Sequence, residues 1–269
     1  MHLTSVSLRS IAPADATRFP FSVPAVAKLG TLELTTPVTM LVGENGSGKS
    51  TLLEGLAAAT GLPTVGADSA DRDPTLAHQR KLGKALRLSW RRRTHRGFFL
   101  RAEDFFGFAK QIVRLRAEML ERIEELEAEY VDRSPYAKAL AQGPLRASIA
   151  GLEQSYGVDP DASSHGQSFL RLFQSRFVPD GLYILDEPEA ALSPQSQLAL
   201  IALIADGVAQ SSQFIIATHS PIVLAYPGAT LVSFDRTPPA AVPFDELDHV
   251  SLTRSFLNDP HSYLRHIVP

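Results

Sequence analysis

The sequence contains no cysteine. That excludes disulfides, thiolate metal sites and cysteine nucleophiles, and it suits a reducing cytoplasm. No apolar run approaches the roughly 18–20 residues of a membrane-spanning helix, so no span of its own is expected. The opening residues, MHLTSVSLRSIAPADATRF, lack a basic segment followed by an apolar core. No signal peptide is therefore expected, and a cytoplasmic location is. Excess charge is small as well. Twenty-six basic against 29 acidic residues leave a formal −3, which gives no global pull toward polyanions. Internal repeats and low-complexity tracts are also missing. What remains is 44% hydrophobic and 20% charged over 269 residues. That is the composition of an ordinary globular chain, long enough to bury a full core without staples.

Three blocks follow one another. In the first, Val38-Thr39-Met40-Leu41-Val42 is a short apolar run ending at a glycine-rich turn, as a buried strand does. The stretch KSTLLEGLAAA after it is helix-forming. The second block, about 60 to 170, is irregular. Leu86 to Arg91 alternates apolar and polar, the polar turn RRTHR follows, and GFFLR comes next. This predicts a β-hairpin. A helix is then expected with Phe108, Ile112, Leu115, Met119, Ile123 and Leu126 on one face. That stripe either packs on the domain, the favoured reading, or forms a coiled-coil arm. Gly107 to Tyr130 would extend only about 36 Å at 1.5 Å per residue, short for such an arm. Ser134-Pro135 and Gly143-Pro144 are expected to break the chain. The third block, from about 175, alternates strands (182–185, 214–217 and 231–234) with a helix from Pro194 to Val208 capped by Ser193. Apolar strands alternating with helices imply an α/β fold with a mostly parallel sheet covered on both faces.

Gly43-Glu44-Asn45-Gly46-Ser47-Gly48-Lys49-Ser50 fits G-x-x-x-x-G-K-[ST] without a mismatch. The glycines let the backbone curl so that several N–H groups cradle phosphates. The helix that follows adds its positive end. Lys49 would reach the β- and γ-phosphates, Ser50 would ligate Mg²⁺, and Thr51 would bond the α-phosphate. The second anchor is Leu182-Tyr183-Ile184-Leu185-Asp186-Glu187-Pro188. An apolar strand ending in paired carboxylates sets both at the edge where ligands bind in such sheets. Asp186 would hold Mg²⁺ through water, and Glu187 would orient and activate the attacking water. Helix-capping acids are the plain alternative for this pair. Ser164-His165-Gly166-Gln167-Ser168 is a weak string alone, but it precedes Asp186 by 22 residues (186 − 164). His219 follows Asp186 by 33 (219 − 186), ends the FIIAT run, and falls where a γ-phosphate sensor would sit.

These four elements, in this order and spacing, resemble the Walker A, signature, Walker B and switch-histidine motifs of the ABC ATPases. The resemblance is closest to free-standing bacterial predicted ATPases with GENGSGKSTLLE, SHGQSF, LDEPEAALSP and THSP. These relate to the soluble branch that includes chromosome-maintenance and DNA-repair ATPases. It implies a P-loop NTPase fold with an antiparallel β part and a small inserted helical lobe. The whole chain, 1–269, would be one such domain, with an irregular hairpin insert at 60–103 and a helical lobe at 104–170 ending in the signature. The resemblance further implies a head-to-tail homodimer with ATP and Mg²⁺ at the interface. Each ATP would lie between one copy's phosphate loop and Ser164, Gly166 and Gln167 of the other. Ala190-Ala191-Leu192-Ser193 matches the D-loop. Three departures stand out. SSHGQ replaces the usual LSGGQ, Ser193 stands where aspartate is usual, and no clear glutamine loop is present. Glu103 is the nearest candidate for that last role. Phe19 and Phe21, ahead of the phosphate loop, would either stack on adenine or belong to the core.

Between Pro74 and Ala102 there is no acid. Arg80, Lys81, Lys84, Arg87, Arg91, Arg92, Arg93, Arg96 and Arg101 lie there, with Trp90, Phe98 and Phe99 interleaved. This reads as a phosphate-backbone groove for nucleic acid, as the solvated face of a hairpin, or as the source of one arginine near the nucleotide. The leading expectation is a soluble ATPase whose dimer closes on ATP and reopens on hydrolysis. The nucleotide-binding subunit of a membrane transporter is the alternative. A switch that binds ATP and barely hydrolyses it is a third, disfavoured by Glu187 and His219.

Overall fold

The computed structural model describes residues 1–65, 77–156, 165–265 and 267–268. Its centre is a six-stranded sheet. In chain order the strands are β3 (Val38–Val42), β5 (Gly97–Arg101), β6 (Leu182–Asp186), β7 (Gln213–Ala217), β8 (Thr230–Ser233) and β9 (Ala240–Ala241). They lie side by side as β5-β6-β7-β3-β8-β9, and only β9 is antiparallel to its neighbour. Every residue of β3, β6 and β7 is buried, which is why these strands read as unbroken apolar runs. β7 is inserted between β3 and β6. Its C-terminal end therefore projects between the phosphate loop after β3 and the acids after β6.

A second sheet of three antiparallel strands, order β2-β1-β4, joins β1 (Leu3–Leu8), β2 (Thr31–Glu33) and β4 (Leu86–Trp90). The side chain of Gln213, fully buried at the start of β7, ties this sheet to the large one. Its Oε1 accepts from His2 N and Leu3 N, and its Nε2 donates to Leu3 O, all at 2.8 Å. The expected hairpin is thus corrected. β4 pairs with β1, while β5 pairs in parallel with β6. Each segment has a strand's pattern, but its partner is distant in sequence, and the turn between them carries the chain from one sheet to the other.

Two apolar cores flank the large sheet. One lies under the small sheet and α3 (Lys49–Thr60), and includes Leu3, Leu52, Leu56, Leu82 and Ile215. Short helices α1 (Pro13–Ala16) and α2 (Pro24–Ala27) and the longer α4 (Ala77–Ala85) border it. The other core packs Phe98, Tyr183 and Phe214 of the sheet against Phe169 and Phe173 of α7 (His165–Arg176) and Leu200 and Ile204 of α8 (Pro194–Ala209). Ser193 caps α8 as expected, accepting from Ser196 N, with Pro194 at the first position. The chain closes with α9 (Pro221–Leu224), α10 (Asp248–Asn258) and α11 (Pro260–Leu264).

Between β5 and α7 stand α5 (Ala102–Glu129) and α6 (Pro135–Tyr156). They run antiparallel, linked by Arg116–Glu153 at 2.8 Å, Lys138–Glu127 at 2.6 Å and Gln142 Nε2 donating to Ile123 O at 3.3 Å. The apolar stripe belongs to this pair. Ile112, Ile123 and Leu126 are buried, yet they belong to neither sheet-flanking core. The favoured packing on the domain holds for Phe108, which packs against the second core, while the stripe beyond it runs along α6 in a short two-helix arm. Leu115 remains 38% exposed. Gly143-Pro144 does not break the chain, since Pro144 lies within α6. A mid-helix proline costs about 3 kcal/mol, and the packing of α6 on α5 offsets that cost.

Candidate nucleotide-binding site

The site grows from one edge of the large sheet. Across it, Arg101 pairs with Asp186, Asp186 with Ala217, and Ala217 with Leu41. The loops that follow these four strand ends carry the motif residues. In the phosphate loop Gly43 and Gly48 have φ of 152° and 103°, a region closed to other residues without strain. A Cβ on Gly43 would lie 2.9 Å from Ser47 Oγ, and one on Gly48 would lie 2.7 Å from Val23 Cγ1. The loop is therefore held tightly from both sides. Gly46 is also left-handed. Glu44 and Asn45 are exposed at its tip, while Ser50 and Thr51 open α3 half-buried.

Lys49 is buried, and its ammonium donates to the carbonyls of Gly43 (2.7 Å) and Glu44 (3.0 Å). Burial lowers its pKa from the usual lysine range, against the opposing pull of Glu187, Asp186 and Asp235. Ser50 Oγ donates to Asp186 Oδ1 at 3.1 Å. Asp186 is 7% exposed. Burial raises its carboxyl to about 7, the Ser50 hydrogen bond and Lys49 oppose the rise, and Glu187 and Glu54 add to it. A hydroxyl and a carboxylate in contact form the donor set of a small hard cation such as Mg²⁺, which takes one or two carboxylates plus substrate phosphates. Among the described residues no cluster of three or more His, Asp or Glu side chains forms a metal cage.

Glu187 has φ 50° and ψ 48°, left-handed for a residue with a side chain. Its N–H donates to Ala217 O at 2.9 Å. Such backbone costs about 1–2 kcal/mol and clusters at functional sites. Here it leaves the carboxylate 44% exposed, 3.7 Å from His219 Nε2. His219 N in turn donates to Glu189 Oε1 at 2.6 Å. The structure thus brings Lys49, Ser50, Asp186, Glu187 and His219 to one edge.

Gly166 and Gln167 begin α7, Gly166 buried and Gln167 exposed. A Cβ on Gly166 would lie 3.0 Å from Ser196 Oγ and 3.4 Å from Ala191 O. The signature segment therefore rests on the D-loop segment and the start of α8. Ser164 lies outside the described residues, and so does the side chain of Glu103 at the second position of α5.

Sequence reasoning misses several polar residues at this edge. Asp235 Oδ1 accepts from Glu44 N at 2.8 Å and so braces the phosphate loop. Its signal is legible, because LVSFD ends an apolar strand in a carboxylate just as LYILD does. Arg101, considered only within the basic stretch, donates to Asp104 at 2.7 Å and to Glu54 at 3.1 Å. Burial opposes its charge, but these two carboxylates raise its pKa further. A cavity of about 560 Å³ opens beside Gly43, Glu44 and His219, with Asp235 and His249 also in its wall. Of the two phenylalanines ahead of the loop, Phe21 is core and Phe19 is 46% exposed.

A strand-borne phosphate loop, a carboxylate strand one removed and a histidine-tipped strand between them thus share one sheet edge. Two family models fall on the same segments. An AAA-domain model matches residues 23–133. A second, described as AAA domain, candidate AbiEii toxin, type IV TA system, matches residues 167–225. The chain thus has a mixed α/β fold, and two segments of it match AAA-domain models, each over less than half of its length. No curated protein matches it. Among solved structures, this chain is similar to an Smc head domain with an extended coiled coil, bound to the C-terminal domain of ScpA, from Pyrococcus furiosus. That match has 12% identity and a TM-score of 0.44, over 96% of this chain and 99% of that one. An SMC head domain from Thermotoga maritima matches at 15% identity and a TM-score of 0.39, over 90% and 99%. An ATP-binding cassette of an ABC transporter in its ADP conformation matches at 16% identity and a TM-score of 0.39, over 100% of both.

Proposed function

We propose that this chain is an ATPase in which ATP and Mg²⁺ close two copies head to tail and hydrolysis reopens them. The observation that carries the reading is the convergence of Lys49, the Ser50–Asp186 contact and the Glu187–His219 pair at one sheet edge. In the proposal the whole chain, 1–269, is one ABC-type domain with 104–170 as its helical lobe; 60–103 is not an insert, because its β4 and β5 belong to the two sheets. Residues 43–51 wrap the phosphates. Lys49 leaves its own loop's carbonyls for the β- and γ-phosphates, exchanging two neutral acceptors for charged ones. Ser50 and Asp186 hold Mg²⁺, which when bound neutralises charge on the phosphates. Glu187 orients the attacking water, and its strained backbone supports that assignment. His219 donates to the γ-phosphate as charge develops there.

Ser164, Gly166 and Gln167 complete the site of the opposite copy. The exposure of Gln167 and the seating of Gly166 against Ala191 support this, because the D-loop segment would cross the same interface. Glu103, two residues beyond the Arg101 that pairs with Asp186, is assigned the glutamine-loop role.

Isothermal titration with ATP and Mg²⁺, together with a phosphate-release assay, tests the reading. The wild type binds and hydrolyses ATP, whereas Lys49→Ala binds far more weakly and does not hydrolyse it. Unchanged affinity and turnover in Lys49→Ala would overturn the assignment.

A further inference from the structure

The cavity of about 560 Å³ beside the phosphate loop contains a second histidine that the hydrolysis scheme does not use. Gly43, Glu44 and His219 form part of its wall. The carbonyls of Gly43 and Glu44 accept from the Lys49 ammonium at 2.7 and 3.0 Å. The ammonium that would hold the outer phosphates therefore stands at the rim of this cavity, with His219 beside it. A terminal phosphate gripped there faces into the cavity.

His249, the second residue of α10, is also in the wall. Leu247 and Val250, on either side of it in the chain, are buried in the second core and fix the start of the helix. His249 itself is half-buried. Its Nε2 and that of His219 are both buried, and among the described residues neither has a hydrogen-bond partner. Folded proteins leave few such atoms unpaired, and those they leave call for a bound water, an ion or a catalytic role.

Burial lowers the pKa of His249 from 6.5; the charge of His219 adds to the fall, Asp235 opposes it, Lys49 adds to it and Asp248 opposes it. The ring is therefore neutral near pH 7 and carries one N–H donor. The other charges of the wall are engaged or exposed. Asp235 accepts from Glu44 N at 2.8 Å, and Arg236 pairs with Glu246 at 3.4 Å. Glu44 and Asp248 are exposed. A wall with these four acids and one arginine repels a free anion. A phosphate enters it only when tethered to a nucleotide that the loop already holds.

We propose that His249 is a second ligand of the terminal phosphate of ATP, donating to it from the wall that it shares with His219. The inference rests on the reading of this sheet edge as an ATP site. ADP lacks the terminal phosphate and leaves the imidazole unpaired, so His249 makes the site prefer ATP.

Calorimetric titration of the full chain with ADP and with the non-hydrolysable imido analogue of ATP, each with Mg²⁺, tests the assignment. His249→Phe keeps a ring on α10 and removes the donor, whereas His249→Gln keeps an N–H. His249→Phe should bind the ATP analogue about tenfold more weakly, as loss of a hydrogen bond to a charged group does, and should bind ADP as the wild type does. His249→Gln should stay within about threefold of the wild type for both nucleotides. A phosphate beside His249 favours its protonated form, so the advantage of the wild type over His249→Phe should grow as pH falls from 8 to 6. Melting temperatures establish that both variants are folded.

Equal losses for the two nucleotides in His249→Phe, no loss for either, or a His249→Gln as weak as His249→Phe would overturn the proposal. So would binding of inorganic phosphate alone that His249→Phe abolishes, which would make this a site for the free ion. Lys49→Ala separates the inference from the reading beneath it. If Lys49→Ala weakens both nucleotides and His249→Phe weakens neither, the phosphate loop stands and the role of His249 is refuted. A wild type that binds neither nucleotide refutes both.

Discussion

Asp186→Asn should stabilise the protein in the absence of metal and nucleotide, and do so in a pH-dependent way. Asp186 is buried beside Ser50, and burial raises its carboxyl from 3.8 to about 7. A carboxyl raised in the folded state binds more protons folded than unfolded between those two values. Stability then falls as pH rises across that window. The penalty is absent below the unfolded value and complete above the folded one. A shift of about three units at 1.36 kcal/mol each amounts to about 4 kcal/mol by pH 8. At pH 5 the same relation leaves under about 2 kcal/mol. Asparagine is neutral at both, and its Oδ1 can still accept from the Ser50 hydroxyl. For a chain of this size about 4 kcal/mol corresponds to roughly 10 °C in Tm. Thermal unfolding in EDTA, for wild type and variant at pH 8 and pH 5, reads the difference. The variant should gain several degrees at pH 8 and less than half as much at pH 5. Equal Tm values at pH 8, or a larger gain at pH 5, would refute the reasoning. A buried carboxylate that costs stability in the free protein is expected at a site whose charge is meant for a cation.

His219→Ala should lower the single-turnover rate more than it lowers ATP affinity, by about 3–4 kcal/mol in the transition state. A full chemical-step rate in the variant would return His219 to a structural role. Arg101→Ala leaves Glu54 and Asp104, 12% and 13% exposed, without their cation. It should cost about 3 kcal/mol in urea denaturation at pH 7.

The phosphate loop and the Asp186 strand are legible in the sequence because their chemistry is local. A glycine-rich turn between strand and helix, and an apolar run ending in two acids, carry their meaning within eight residues. The central sheet is legible for the same reason, since strands buried on both faces are apolar throughout. What fails depends on distant partners. β4 and β5 each have the alternation or burial of a strand, but nothing in RRTHR says that they enter different sheets. The basic stretch looks uniform because Asp180 and Glu54, which pair with Arg92 and Arg101, lie far away in sequence. Pro144 suggests a break that the packing of α6 against α5 overrides. Ser193 looks like a departure from a motif, and in the fold it is the N-cap of α8. Asp235 obeys the same local rule as Asp186, an apolar strand ending in a carboxylate, but no paired acid follows it in LVSFD to mark it out.

A catalytic site shared between two copies makes opposite demands on two residues. Glu187→Gln keeps the phosphate and cation contacts but removes the group that orients water, so bound ATP should persist and hold the dimer closed. Ser164→Arg places a bulky cation where the other copy's ATP would dock, leaving its own phosphate loop untouched. Light scattering of Glu187→Gln, Ser164→Arg and the double variant, each with and without ATP and Mg²⁺, tests this directly. Glu187→Gln should double in mass on adding ATP, while Ser164→Arg and the double variant should remain monomeric and still bind ATP. A Glu187→Gln protein that stays monomeric at saturating ATP, or a double variant that dimerises normally, would contradict the account.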